Sequence, residues 1–526
     1  MRVELRDPLE RLFADDAVGR RPRRALELDV ARGGTVAAHL LCSGLRRGER
    51  VALSALVNGR PARRARWFRL LAVPVEENTG IRNFTESARP GERNPHVVRR
   101  APFRTFDAME PIGADSRAES PVEAFRLELP VPRDARPGAL RCAIEVRAGG
   151  TCEPLALVAR VHRATIPPAG ADSFPYTNWF SYDNIAARHG LRKWSEPHWR
   201  MLRRYAELMR RGRQNTFWIP LQEVFERRAG RLVLDRARLR RIVATFTAAG
   251  LHFIEGGHVG TRIGGEWKAV GFDLVMKGPR GTSAEGNAVL AGMLGQLMAE
   301  IERCGWRRRW LQHVADEPVK ENATDYRILV GMVRKYMPGI PVLDALMDTE
   351  LAGSADIWCP QVHEYQHSRA AFERQRAVGD RIWYYTCCSP GGPWLNRLLD
   401  QELLRPVLLA WGGALFGLDG FLHWGLNHYR ADQDPFRKSV VGHGGVNSLP
   451  AGDTHIVYPG KDGPWSSLRL EAHREGFEDL ELLRQLQARN PRRARAVLAM
   501  AVRGFDKYVK DVGRFRAARR ALLESL

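Results

Sequence analysis

The stretch "RWLQHVADEP", residues 309–318, packs an apolar run, two adjacent carboxylates and a proline into ten positions. It reads as a short buried strand that stops at the carboxylates, because proline cannot donate to a sheet ladder. A helical pattern follows around Leu329 to Met337 and ends at Pro338-Gly339. The same unit recurs on both sides. "SFPYTNWFS" (173–181) precedes a helix that Ser195 caps, with Trp199, Leu202, Ala206 and Met209 on one face. "NTFWIPL" precedes a helix from Asp235, with Leu239, Ile242 and Phe246 inward and Gly250 as a stop. "HFIEGG" precedes a long loop and then the stripe Leu290, Met293, Leu294, Leu297, Met298 and Ile301. "IPVLDAL", "ADIWCPQV", "RIWYYTCC" and "DGFLHWGL" complete the series. Each strand candidate but the fifth is followed by a helical pattern. Eight such units over about 260 residues match an α/β fold of the (β/α)8 TIM-type barrel. An open doubly wound sheet is the second choice, but no G-x-G-x-x-G follows the first strand.

Upstream the rhythm is different. "ALELDV", "VALSALV", "WFRLLAVPV", "FRLELPV" and "LRCAIEV" alternate with period two and are split by turns such as "PRDARPG". This pattern predicts an N-terminal β-sandwich. "TIPPAG" (165–170) reads as a linker, and the tail from "PRRARAVLAM" reads as short C-terminal helices. The expected boundaries are a sandwich at 1–168, a barrel at 169–488 and a helical segment at 489–526.

The chain has 526 residues, 44% hydrophobic and 27% charged, with a formal charge of +22. That is globular composition with two or three cores. The arginines are spread from "RRPRRALELD" to "RFRAARRALL" with no single patch, so no nucleic-acid footprint is expected. Seven cysteines at 42, 142, 152, 304, 359, 387 and 388 include no C-x-x-C pair and suggest reduced, intracellular usage. The N-terminus "MRVELRDPLERLFADD" has no apolar signal core, and the run Val407 to Leu418 is too short to span a bilayer. The expectation is a cytoplasmic protein with no membrane segment. Nothing in the sequence speaks to an oligomer.

Two motifs compete for the chemistry. "HEYQH" (363–367) matches the zinc-helix pattern H-E-x-x-H. It follows a strand candidate directly, with Pro360 three residues ahead, so it is expected on a strand-to-helix loop. There the i, i+4 spacing has no meaning, and no third ligand stands on a later helix. No metal and no cofactor are expected. His363, Glu364 and Tyr365 are instead candidates for lining a pocket.

"HVADEP" offers adjacent carboxylates at the end of a strand. Two close carboxylates raise one pKa and leave the other ionised, the division that glycoside hydrolysis needs. Trp, Tyr and Asn accumulate at other strand ends: Trp179 in "YTNWF", Tyr384 and Tyr385 in "IWYYT", and Trp424 with Asn427 in "HWGLN". Aromatic faces and amide groups of this kind suit a sugar. A conventional retaining glycosidase needs a second carboxylate as nucleophile, yet the seventh strand candidate holds none. Substrate-assisted hydrolysis needs none: a 2-acetamido oxygen attacks the anomeric carbon while one acid protonates the leaving oxygen.

The sequence resembles glycoside hydrolase family 123 and its wider catalytic-domain relatives. The resemblance rests on "HVADEP", on "WYYTCCSPGGPWLNRLLDQELLRPVLLAWGGALFGLDGFLHWGLNHY", and on "GDTHIVYPGKDGPWSSLRLEAHREGFEDLELL", with "LPVPRDARPGALRCAIEV" upstream. It covers roughly residues 120–485. It implies a β-sandwich before a (β/α)8 barrel and a β-N-acetylgalactosaminidase-like, exo-acting, retaining activity on a carbohydrate substrate. Under it, Asp316 stabilises the acetamido group and Glu317 is the acid/base. Tyr384 or Tyr385 contacts the acetamido carbonyl and Trp424 walls the pocket. Trp179, His313, Asn396 and Asn427 complete the expected substrate contacts. The alternatives are a non-catalytic carbohydrate-binding protein on the same fold and a glycosidase with a separate Glu nucleophile.

Overall fold

The computed structural model describes residues 1–526 as a mixed α/β protein. The N-terminal part forms two sheets. One is antiparallel, with strands Arg2–Arg6, Thr35–Ser43, Val122–Pro130, Arg66–Val75 and Phe103–Ile112 in that spatial order. The other places Ala25–Arg32, Thr151–Thr165, Gly138–Ala148 and Arg50–Val57 side by side, with the first pair parallel. Period-two alternation sends Leu28, Leu40, Phe125, Ile144 and Leu157 from both sheets into one buried cluster. The alternating runs expected from the sequence all lie on these strands. Arg2–Arg6, Thr35–Ser43, Phe103–Ile112 and Thr151–Thr165 lie beyond those runs.

The rest of the chain is built on eight parallel strands: Tyr176–Asn178, Thr216–Ile219, Phe253–Gly256, Trp310–Gln312, Leu343–Asp344, Ile357–Trp358, Arg381–Tyr385 and Gly420–His423. Every one falls in a stretch that the sequence marks. The first, eighth, seventh, sixth and fifth form one sheet; the second, third and fourth form another. A parallel bridge between Gln312 and Val342 links the fourth to the fifth. Asn215 links the first to the second: its N–H donates to Tyr176 O at 3.2 Å, and its side-chain oxygen accepts from Tyr176 N at 2.9 Å.

Helices separate the strands because the caps and stripes are where the sequence puts them. Ser195 accepts from the His198 N–H and opens Glu196–Arg211; Asp235 accepts from the Arg238 N–H and opens Arg236–Ala248. Only a short 3-10 turn, Thr349–Leu351, follows the fifth strand. Leu404–Phe416 is buried along nearly its whole length, as is most of Leu468–Arg489. The helices Pro491–Ala501 and Val512–Glu524 bury Val497, Leu498, Phe515 and Leu522 in the same core. No helix is long and apolar enough to cross a membrane.

The two parts are joined by buried ion pairs. Asp107 of Phe103–Ile112 meets Arg469 at 3.0 Å, both fully buried, and Tyr458 donates to the same carboxylate at 2.8 Å. Glu128, on the antiparallel sheet, accepts from Arg211 at 2.7 Å and Arg126 at 3.0 Å. Arg211 also donates to Glu471 at 2.8 Å, and Arg474 meets Glu471 at 2.8 Å. Burial opposes the charge on Glu128 and Glu471, but Arg211 and its neighbours outweigh it and hold both carboxyls below their ordinary range.

Candidate active site

The C-terminal ends of the parallel strands gather the polar side chains. Trp179 and Trp218 leave the first and second strands and stack at 4.5 Å. Glu255 ends the third strand, and Asp344 ends the fifth. Between them lies His313, fully buried, with Nε2 at 2.7 Å from Glu255 and Nδ1 at 2.9 Å from Asp344. Burial opposes a charge on the imidazole, but the two carboxylates prevail and raise it to about 9. His313 is therefore an imidazolium at neutral pH. Thr177 and the Trp179 indole also donate to Glu255, at 2.6 and 2.8 Å. Tyr326 and the Val314 N–H donate to Asp344, at 2.7 and 3.1 Å. This charged layer fixes the segment that leads into Asp316 and Glu317.

The strand itself ends at Gln312, and the chain turns at Glu317, whose φ is 44°. A left-handed backbone is uncommon for a residue with a side chain and costs of order 1 kcal/mol. It breaks the alternation that would send adjacent carboxylates to opposite faces. Arg262, on the hairpin formed by Gly260–Arg262 and Phe272–Leu274, donates to the Glu317 carbonyl at 2.7 Å and lies 4.1 Å above Trp267. The Glu317 carboxyl accepts from the Tyr385 hydroxyl, which accepts from Gln361 Nε2 at 3.0 Å. Burial, and then the neighbouring Asp316, push the Glu317 carboxyl up to about 7. Asp316 is exposed and lines a cavity of about 260 Å³ with Trp218, His258, Thr261, Arg262 and Phe272.

A second polar group closes the far side. Trp424 donates its indole N–H to Asp453 at 3.2 Å. Burial raises the Asp453 carboxyl to about 7, and its Oδ2, the Thr386 hydroxyl and His423 Nε2 are buried without partners. Buried polar atoms of this kind are costly unless something satisfies them.

The expected residues do not all meet. Asp316, Glu317, Tyr385, Trp179 and His313 come together, with His313 beneath the cavity and not on its wall. Tyr384 points the other way, as alternation along the Arg381–Tyr385 strand demands, and donates to Leu409 O at 2.9 Å under the buried helix. It is therefore the wrong member of the Tyr384/Tyr385 pair for contact with Glu317. Tyr365 packs against Phe372 and Phe416 and donates to Glu373 at 2.6 Å. Asn396 spends its amide on the carbonyls of Cys387 and Pro390, at 2.8 and 3.1 Å. Asn427 exchanges two hydrogen bonds with the Ser181 backbone, at 2.8 and 3.1 Å. Trp424 donates to Asp453 and makes no hydrogen bond to Tyr385 or Glu317. His363 and Glu364 pair with each other at 3.1 Å, half-buried, and His363 lies beside Trp394.

The H-E-x-x-H stretch corrects one expectation. Val362–His367 is helical and not a loop, because Pro360 stands ahead of the Gln361 cap and blocks no helical hydrogen bond. The two imidazoles nevertheless stand at 85° with centroids 6.1 Å apart, and His363 Nε2 faces Glu364. The three-residue cluster with ligand spacing is His258, His313 and Asp344, within 4.8 Å of one another. Both His313 nitrogens are occupied by carboxylates, so that cluster fits a hydrogen-bond network and not a metal.

Glu255, His258, Asp344, Arg262, Gln361 and Asp453 are absent from the sequence-based candidates. A signal existed for two of them: Glu255 in "HFIEGG" and Asp344 in "VLDAL" are carboxylates inside apolar strand-length runs. Such a residue is almost never buried without a partner.

Residues 276–486 match the family model "Glycoside hydrolase 123, catalytic domain". The chain carries a family 123 glycoside hydrolase domain. It is thereby a glycosidase. Its fold resembles that of a family 123 glycoside hydrolase from Clostridium perfringens, described for glycolipid glycan hydrolysis. The TM-score is 0.72 at 13% identity, covering 99% of this chain and 96% of that one. A β-glucuronidase from Parabacteroides merdae aligns at TM-score 0.33 and 9% identity, covering 85% of this chain and 50% of that one. A cold-adapted β-galactosidase from Rahnella sp. R3 aligns at TM-score 0.36 and 10% identity, covering 60% and 57%. No curated protein matches. The matched family 123 segment contains Asp316, Glu317, Tyr385 and Asp453, while Trp179, Glu255 and Arg262 lie ahead of it.

Proposed function

We propose that this glycosidase is an exo-acting, retaining β-N-acetylhexosaminidase that uses the substrate's 2-acetamido group as nucleophile. Glu317 is read as the acid/base and Asp316 as the residue that orients and stabilises the acetamido group. The observation that carries this is the adjacent pair itself. Glu317 is half-buried with its carboxyl raised to about 7, next to Asp316, which is exposed and makes no hydrogen bond or ion pair within the chain. A carboxyl poised near neutrality can give a proton to the leaving oxygen and take one from water in the second half-reaction. The other carboxylates beneath the pair, Glu255 and Asp344, are committed to His313 and are poor candidates for a protein nucleophile.

The eight parallel strands are read as a (β/α)8 barrel at about 169–488. The two N-terminal sheets are read as a β-sandwich at 1–168, and 489–526 as a helical segment. In that reading the acid/base stands at the end of a barrel strand, where barrel active sites form. Trp179, Trp218 and Trp424 provide aromatic walls for a sugar ring. Asp453 accepts from the Trp424 indole and holds that ring in place. A β-N-acetylgalactosaminide is the favoured substrate, by the resemblance of "HVADEP" and the 383–429 block to that family.

The test is release of chromophore from aryl β-glycosides with and without the 2-acetamido group. Cleavage confined to 2-acetamido sugars, and lost in both Glu317→Gln and Asp316→Asn, is expected. Cleavage of sugars that lack the group, or azide rescue of Asp316→Asn, would show a protein nucleophile and overturn the substrate-assisted reading. Binding without hydrolysis of any glycoside would overturn the catalytic one.

A further inference from the structure

We propose that a cleft at the opposite end of the parallel strands binds an oxyanion, the phosphate or sulfate ester of a small molecule. The cleft has a volume of about 590 Å³ and is lined by Arg66, Arg133, Arg210, Arg211, Arg213 and Arg474. Arg213 precedes the strand Thr216–Ile219, and Ala249 of the same lining precedes Phe253–Gly256. Asp316 and Glu317 follow their strand. In a parallel arrangement the two sites therefore lie at opposite ends, and this inference does not depend on the proposed hydrolytic mechanism.

The charges in the cleft do not cancel locally. Its only lining carboxylates are Glu207 and Glu478. Glu207 bonds Arg203 at 3.0 Å, and Glu478 faces Arg474 at 3.5 Å. Arg211 is satisfied by Glu128 and Glu471. Arg66, Arg133 and Arg210, all exposed at the rim, have no carboxylate within ion-pair distance. On the floor, Arg213 and Arg474 are 7% and 8% exposed. Arg213 donates Nη1 to Pro167 O at 2.7 Å, while its Nη2 is buried without a hydrogen-bond partner, 3.7 Å from Glu481. Arg474 Nε is likewise buried without a partner.

Two arginine N–H groups that have lost water and gained no acceptor cost free energy, and the three rim guanidiniums add positive charge that no carboxylate pairs, although Arg474 itself meets Glu471 at 2.8 Å. Burial and the neighbouring Arg211 and Arg474 hold the Arg66 guanidinium below its ordinary value. An oxyanion supplies the missing acceptors and the opposite charge, because guanidinium forks match phosphate and sulfate oxygens. The volume exceeds that of a free inorganic anion and leaves room for the body of an ester.

The test uses the full-length protein in calorimetric titration and thermal unfolding, with ionic strength held constant by sodium chloride. Inorganic pyrophosphate is expected to bind saturably and to raise the unfolding midpoint beyond chloride alone, because a ligand of the native state stabilises it by mass action. Glucose 6-phosphate against glucose 6-sulfate then separates the two esters. The double variant Arg66→Gln/Arg210→Gln, which alters exposed side chains, is expected to weaken binding at least about tenfold. Arg213→Gln is expected to abolish it; if that variant does not fold, the rim variant decides. Absence of saturable binding beyond chloride, or equal affinity in wild type and the rim variant, would overturn the proposal.

Discussion

Two acidic clusters in this chain use the same residue types to opposite ends. At the junction of the N-terminal sheets and the parallel strands, Glu128 and Glu471 are buried among Arg126, Arg211 and Arg474 and stay ionised. At the strand ends, Glu317 is turned against Tyr385 and Asp316, its carboxyl raised to about 7. Burial pushes every one of these carboxyls toward the neutral form. The difference is the partner. A guanidinium within hydrogen-bond reach outweighs burial, whereas a phenol does so only partly and a second carboxylate adds to it. The same side chain is a structural anchor in one place and a candidate acid in the other.

The largest expected effect breaks the catalytic arm. Glu317→Gln keeps the shape and removes the proton, and should lower kcat about 10²–10⁴-fold. Unchanged turnover on a 2-acetamido aryl glycoside would sink the assignment. The matching cut at the junction is Arg211→Met. It leaves Glu128 and Glu471 buried with less positive charge, and should destabilise the protein by about 3–5 kcal/mol in denaturant unfolding. Adding Glu128→Gln and Glu471→Gln should not restore the loss, because Arg126 is then buried without a carboxylate and Arg474 loses Glu471. If the single variant unfolds like wild type, the junction does not depend on this arginine.

A smaller effect separates the clusters by pH. The Glu317 carboxyl is raised in the folded state, so the native protein holds a proton that the unfolded chain releases near the ordinary value of 4.5. Stability is therefore lost as pH rises from about 4.5 through about 7. Glu317→Gln should unfold at a higher midpoint than wild type at pH 8, by about 2 kcal/mol, and show no gain at pH 4. Glu128 and Glu471, whose carboxyls are depressed, carry the opposite sign and lose their contribution only in acid. A pH-independent difference between wild type and Glu317→Gln would mean that Glu317 is not raised.

The finest distinction tests the phenol. Tyr385 donates to the ionised Glu317 and so holds its pKa down against burial and Asp316. Tyr385→Phe should move the alkaline limb of the rate profile upward, with a modest loss of rate. Tyr384→Phe, a change in the core hydrogen bond to Leu409, should leave that limb in place and lower only the unfolding midpoint, by about 1 kcal/mol. Equal shifts in both variants would erase the distinction between the two tyrosines.

The sequence by itself determined the element order. Eight apolar runs between capped, striped helices gave the eight parallel strands, and alternation marked much of the N-terminal sheets, because local period and caps are properties of neighbouring residues. It also marked Asp316 and Glu317, since adjacent carboxylates before a proline at a strand end are visible in one line. The helix at 362–367 is not legible in the sequence, because Pro360 ahead of the Gln361 cap is compatible with a loop and with a helix alike. Only the tertiary structure decided which aromatic and amide residues reach Glu317. Tyr385 and Tyr384 differ by one position and face opposite sides of their strand, and Asn396 and Asn427 turn out to serve backbone groups. It alone joined Glu255, His313 and Asp344, from three different strands, into one charged layer. It alone assigned arginines to the carboxyls of Glu128 and Glu471 and gave the Glu317 carboxyl a phenol, with Arg262 bonding only the Glu317 carbonyl. Charges separated by hundreds of residues exert their Coulomb and desolvation effects only at contact distance, and contact distance is what the fold supplies.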